Sequence, residues 1–188
     1  MASIRQQTAP TSNLSRFLED ARSLLEEDFV AKLKGHGVLM LHRAPGNLEA
    51  TKFRTSRVES ESLKAAIVIG LHNEVFVVAK KPDSSYESRI SIGRSETTDV
   101  TIPYPGISKF HAYIELNPLE NSFRLADGGS TNGTTLNSTP LERHAAVPLM
   151  SGNTIGLGPY VFSFMTANAF YMFLRRRSAP ALQNDRLR

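Results

Sequence analysis

The sequence predicts a mainly β protein, a sandwich or small barrel with a helix near each end of the chain. Three observations carry this expectation. From residue 65 to residue 165, short β-branched and aromatic runs are punctuated by Gly, Pro, Asn and Asp. Residues 14–34 instead repeat apolar side chains at helical spacing. The composition, 40% hydrophobic and 21% charged over 188 residues, is that of an ordinary globular chain able to bury a core without staples.

Taken in order, residues 1–12 are polar, contain Pro10 and show no apolar period, so a disordered tail is expected. They have no apolar h-region and do not read as a signal peptide; the expected location is cytoplasmic. Thr8 and Thr11 in this tail are candidates for phosphorylation and capture by a second copy, one route to self-association. Leu14, Phe17, Leu18, Ala21, Leu24 and Leu25 form one stripe of a helix over 14–34. Ser12 or Asn13 can cap it. Glu19 and Asp20 are expected near its positive end, and Lys32 and Lys34 near its negative end. Gly35 suits the position past the last turn.

Val38–Leu41 is a short apolar run compatible with a strand, and residues 46–64 read as an irregular connector. Residues 13–64 are thus expected to be a helical extension. Strands are expected at 65–71, 75–79, 89–92, 100–102, 112–116, 122–125, 134–136, 154–157 and 160–165. Tyr160–Leu174 is apolar for 15 residues but broken by Ser163, Thr166 and Asn168, too short for a membrane span. A last strand followed by a terminal helix fits better, with Phe170, Phe173 and Leu174 on one face. Arg175-Arg176-Arg177 then opens a basic tail, so 168–188 reads as helix and tail.

Charge is unevenly spread. Residues 1–60 carry 9 Lys/Arg and 7 Asp/Glu, residues 61–167 carry 8 and 10, and residues 168–188 carry 5 and 1. The mildly acidic middle argues against a broad nucleic-acid footprint. The absence of Cys excludes disulfides, Cys-ligated zinc, iron–sulfur clusters and thiol catalysis. Enzyme templates fail as well. There is no Walker A sequence and no H-E-x-x-H, and Gly128-Gly129-Ser130-Thr131-Asn132 lacks the last Gly of a nucleophile elbow. A Ser108/His111/Asp127 trio is the kind of set that arises by chance. The five His residues show no metal-ligand clustering, so no enzyme activity, metal or cofactor is expected.

One stretch is far from random. It runs Ile92-Gly93-Arg94-Ser95, Asp99-Val100-Thr101-Ile102, Ile107-Ser108-Lys109-Phe110-His111-Ala112, Leu125-Ala126-Asp127, Ser130-Thr131-Asn132-Gly133-Thr134 and Leu136-Asn137, and closes with Leu149-Met150-Ser151-Gly152-Asn153-Thr154-Ile155 and Leu157-Gly158. This resembles the forkhead-associated (FHA) domain, with its G-R, S-x-x-H, N-G-T and distal L-x-x-G-x-x-I followed by Gly. The pieces occur in order over residues 74–167, which places an FHA domain at 65–167. Asn153 departs from the Asp common after that Gly, at a turn position.

The resemblance implies a β-sandwich of two antiparallel sheets whose end loops bind phosphothreonine peptides without catalysis, and so an adaptor downstream of a Ser/Thr kinase. The residue types suit a ligand with roughly −1.5 to −2 charge and three acceptor oxygens. Arg94 offers a planar fork of donors. Ser108 offers a hydroxyl and a loop N–H, and Lys109 a second positive group at the rim. By the resemblance, Asn132 bonds the peptide backbone through its amide, Thr131 shapes the pocket, and His111 braces the loops from below. Gly93 and Gly133 permit tight turns or positive φ, and Asp127 ties down its own turn. The alternative is an FHA-like fold used as a phospho-independent interaction or oligomerisation module. Selectivity is expected from the loops around 103–107 and 137–147.

Overall fold

A computed structural model describes residues 12–44, 74–84, 88–117, 119–120 and 122–178. The expected tail over 1–12 (except Ser12, which lies in a two-residue strand), the connector over 46–64, the strand over 65–71 and the basic tail beyond 178 lie outside these residues, as do Thr8 and Thr11. Among the described residues the fold is mainly β, two sheets with three helices.

The larger sheet has the order β1 (Ser12–Asn13), β3 (Glu74–Val78), β2 (Gly37–Arg43), β12 (Tyr160–Thr166), β11 (Thr154–Leu157), β8 (Thr134–Leu136), β9 (Thr139–Pro140). The smaller one has the order β10 (Val147–Leu149), β7 (Ser122–Asp127), β6 (Ala112–Asn117), β4 (Arg89–Gly93), β5 (Val100–Thr101). Neighbours are antiparallel except β4 and β5, which pair in parallel through Ile92↔Val100 and Gly93↔Thr101.

Alternation along the strands explains the layers. In β2, Leu39 and Leu41 face the sandwich core with Phe76, Ile90, Ile92, Ile114, Leu125, Phe162 and Phe164. Val38 and Met40 face the other way, into a second cluster with Phe17, Phe29 and Phe170. A strand covered on both faces has no polar alternation, which is why Val38–Leu41 reads as one apolar run. Its position corrects the expected boundary at residue 65: β2 lies between β3 and β12, well inside the larger sheet.

The single helix expected over 14–34 is two helices, α1 (Leu14–Ser23) and α2 (Glu26–Leu33). Leu25 between them is extended, with φ −70° and ψ 163°. Leu25 is not on the buried stripe; it is 75% exposed. Ser23 Oγ donates to the carbonyls of Glu19 and Asp20, and the Leu24 N–H still donates to Asp20 O at 2.9 Å, so the α1 ladder runs one residue past Ser23 before the chain turns extended at Leu25. The break lets both segments reach α3 (Ala167–Ser178): the Phe17 and Phe29 rings lie 5.3 and 6.1 Å from Phe170. It also moves the dipole partners. Glu26, Glu27 and Asp28 form the first turn of α2, whereas Glu19 and Asp20 lie late in α1. The left-handed residue after α2 is Lys34 (φ 51°), not Gly35. Gly35 is needed for space, because a Cβ there would lie 2.6 Å from Val77 Cγ1.

Candidate functional site

The loops at one end of the sandwich collect the residues singled out in the sequence. Strand β4 ends at Gly93, where a Cβ would lie 2.2 Å from the Lys109 carbonyl oxygen. Without that Cβ, two loops zip together: the Arg94 N–H donates to Ser108 O at 2.9 Å and the Ser95 N–H to Lys109 O at 3.1 Å. Arg94 is exposed. Its Nε–H donates to Ile107 O at 3.1 Å, which aims the guanidinium and leaves its four terminal N–H donors for a ligand.

Ser108 is tied to the opposite loop. Its Oγ accepts from the Thr131 N–H at 3.0 Å and lies 3.4 Å from Thr131 Oγ1. Its own N–H, expected to be free for phosphate, instead donates to His111 Nδ1 at 3.1 Å. Asn132 Nδ2 donates to Gly106 O at 2.8 Å, so one amide proton bridges two loops while Oδ1 and the second proton remain. Lys109 is exposed and forms no ion pair among the described residues. Arg94, Ser108, Thr131 and Asn132 therefore belong to one bonded set of loops, with Lys109 at the rim.

Three buried polar side chains hold these loops. His111 is fully buried. Because Nδ1 faces an N–H donor, the ring proton sits on Nε2, which donates to Gly133 O at 3.1 Å. Burial lowers the His111 pKa below its ordinary value, against the opposing pull of the Gly133 bond and the Asp127 charge. Gly133 itself takes φ +77°, a conformation unfavourable for a residue with a Cβ.

Asp127 holds the 128–134 turn. It accepts from the N–H groups of Gly129 (2.8 Å) and Ser130 (3.0 Å) and from the hydroxyls of Ser130 (2.5 Å) and Thr134 (2.6 Å). Burial raises its pKa, but those four bonds outweigh it and the net shift is downward.

Asp99 does the same for the Arg94 loop, and sequence reasoning gave it no role. It accepts from the Lys81 N–H (2.9 Å), the Ser84 hydroxyl (3.1 Å) and the N–H and hydroxyl of Ser91 (2.8 and 2.6 Å). Desolvation again raises its pKa, and the bonds, led by Ser91 Oγ, bring it below the usual value. The only signal in the sequence is its place in Asp99-Val100-Thr101-Ile102. Among the described residues no group of three or more His, Asp or Glu could hold a metal ion.

Residues 90–158 match the family model of the FHA domain, so this stretch of the chain is an FHA domain. FHA domains are phosphothreonine-peptide-binding modules, interaction modules rather than enzymes. The chain is 29% identical over 76 residues to the FHA domain-containing protein PS1 of Arabidopsis thaliana, covering 40% of this chain and 5% of that protein. It is 40% identical over 55 residues to mediator of DNA damage checkpoint protein 1 of Rattus norvegicus, covering 29% of this chain and 4% of that one. It therefore spans a small fraction of either relative. A solved FHA domain from a structural and functional analysis of phosphothreonine-dependent FHA interactions is 29% identical. That match covers 46% of this chain and 91% of the other, with a TM-score of 0.38. No helix among the described residues is long and apolar enough to cross a membrane.

Proposed function

We propose that this chain is a cytoplasmic adaptor that reads phosphothreonine on a partner protein downstream of a Ser/Thr kinase. The observation that carries the reading is the bonded set Arg94–Ser108–Thr131–Asn132 at the loop end. Arg94 presents its guanidinium fork to the phosphate, the Ser108 hydroxyl adds a hydrogen bond, and Lys109 adds positive charge at the rim. Asn132 Oδ1 and its remaining N–H hold the peptide backbone, and Thr131 forms the wall beside the threonine methyl. His111, Gly93 and Gly133 support this arrangement from below. The domain occupies the sandwich, with the helical layer as its neighbour on the larger sheet.

Titration calorimetry with one peptide in phosphothreonine, phosphoserine and unmodified forms tests the reading. The expected order of affinity is phosphothreonine, then phosphoserine, with no binding of the unmodified peptide. Arg94→Ala should abolish measurable binding with the fold intact. Losing one partner of a close charged pair costs about 2–5 kcal/mol, and micromolar affinity amounts to only about 8 kcal/mol. Equal affinity of wild type and Arg94→Ala would refute the site. Equal binding of the unmodified peptide would favour a phospho-independent module.

A further inference from the structure

The chain between β9 and β10 returns along the flank of the Thr131–Asn132 loop. The Leu141 N–H donates to Thr134 O at 2.9 Å and the His144 N–H to Asp127 O at 2.9 Å. Asp127 and Arg143 form an isolated parallel bridge. His144 adopts φ +62°, and its ring lies over Gly129, where an added Cβ would be 3.7 Å from Cε1 and Nε2. The backbone at 143 is thus fixed to the same turn that Asp127 organises. The Arg143 guanidinium follows: Nη2 lies 3.5 Å from the carbonyl oxygen of Ser130, the residue before Thr131.

Arg143 is exposed and unpaired. Among the described residues the ion pairs are Lys32–Asp20 and Arg89–Glu115, both elsewhere, and Glu142, its chain neighbour, does not pair with it. Arg94, Lys109 and Arg143 are therefore three cations without carboxylate partners, in a part of the chain that has more Asp and Glu than Lys and Arg. Gathered on and beside the loops that carry Ser108 and Thr131, these cations give a local positive field.

We propose that Arg143 forms a second anion subsite beside the phosphothreonine pocket, taking a carboxylate or a second phosphate carried by the same target. This rests on the phosphothreonine reading above. The chemistry follows from the guanidinium: with one weak contact to Ser130, its remaining donors match a carboxylate or phosphate in bidentate fashion. The target class is then an acidic or doubly phosphorylated peptide.

The test is fluorescence anisotropy on the full chain with phosphothreonine peptides. One peptide has neutral flanks, a series places Asp at each flanking position in turn, and a matching series places phosphoserine there. The readout is the ratio of acidic-flank to neutral-flank affinity. In the wild type, Asp at the position that reaches Arg143 should tighten binding about two- to fivefold, the range of an exposed ion pair. Phosphoserine there should tighten it more, and both gains should shrink as salt rises. In Arg143→Ala the ratio should fall to one, and Arg143→Lys should keep part of it. A wild-type ratio of one at every position, or an unchanged ratio in Arg143→Ala, would overturn the subsite and leave the phosphothreonine reading standing. Failure of every phosphopeptide to bind would remove that reading, and the subsite with it.

Discussion

The loop end of the sandwich and its helix-covered face are held by opposite physics. At the loop end, Asp99, His111 and Asp127 are buried polar groups bonded to backbone or hydroxyl groups of the loops and of strand β4. Such bonds have narrow geometry, so each fixes where a loop atom sits as well as whether the loop is folded. On the helical face, Phe17, Phe29, Phe170 and Leu174 meet Val38, Met40 and Val75 with no buried charge among them. Apolar packing is non-directional and tolerates volume-conserving exchange. The precision that a phosphate site needs therefore lies where the polar groups are, while the helical face supplies stability.

The comparison is broken most severely at Phe170. This ring is fully buried and touches Phe17 and Phe29 from the two halves of the broken helix. Phe170→Ala should destabilise the chain by about 3–5 kcal/mol, the range for deleting a core aromatic ring. The folded fraction should bind phosphopeptide with unchanged affinity. Urea unfolding monitored by circular dichroism, with calorimetry under native conditions, measures both. A large loss of affinity in folded protein would show that the two regions are coupled.

The same contrast governs how legible the molecule was from its sequence. The strands with β-branched or aromatic runs, such as Arg89–Gly93 and Thr154–Leu157, show in the residues because their pattern is local. Strands β1 and β9 have two residues and β10 has three, too few for any period, and they exist only through their neighbours. The break after Ser23 was hidden because the stripe continues smoothly through Leu24 and Leu25; only the need to reach Phe170 from two directions explains it. At the loop end, the motif spacing placed Arg94, Ser108, Thr131 and Asn132 on neighbouring loops. It could not foretell that the Ser108 N–H goes to His111, that Asn132 bridges to Gly106, or that Arg143 folds back to Ser130. Those contacts are set by loop closure over 3 to 26 residues of chain.

A smaller effect, with the opposite signature, is expected at Asp127. Asp127→Asn keeps the side-chain size but replaces one acceptor oxygen by a donor, against two N–H and two O–H groups that all donate to it. At least one donor of the 128–134 turn then loses its partner, at a cost of about 1–3 kcal/mol. Because this turn carries Thr131 and Asn132, phosphopeptide affinity should fall as well, even in fully folded protein. Amide hydrogen exchange should show faster exchange at Gly129 and Ser130 and no change across α3. Loss of stability without loss of affinity would mean that the loop end is held by packing, like the helical face.

The smallest effect separates the two regions by pH. Burial lowers the pKa of His111, and it does the same to His42 in β2, whose Nε2 is hydrogen-bonded to Ser163 Oγ in the larger sheet. By alternation with Val38 and Met40, His42 belongs to the helix-covered side of that sheet. For both, the unfolded chain binds a proton more readily than the folded one. Their stabilising contribution is therefore complete above the unfolded value of about 6.5 and is lost as pH falls from there through the lower folded values. Asp99 and Asp127, also lowered, act in the same direction but only below the ordinary Asp range. Urea midpoints of the free protein between pH 8 and pH 5 should therefore decline with acid, driven by the two histidines. His42→Gln and His111→Gln should each flatten part of that decline. They should differ at pH 7.5: His111→Gln disturbs the bonds to Ser108 and Gly133 and weakens phosphopeptide binding, while His42→Gln leaves it unchanged. A protonated His111 would also present a second donor to the Ser108 N–H, so in His42→Gln the amide of Ser108 should still lose exchange protection on acidification. Loss of that protection already above pH 6.5 would show that burial does not lower the His111 pKa.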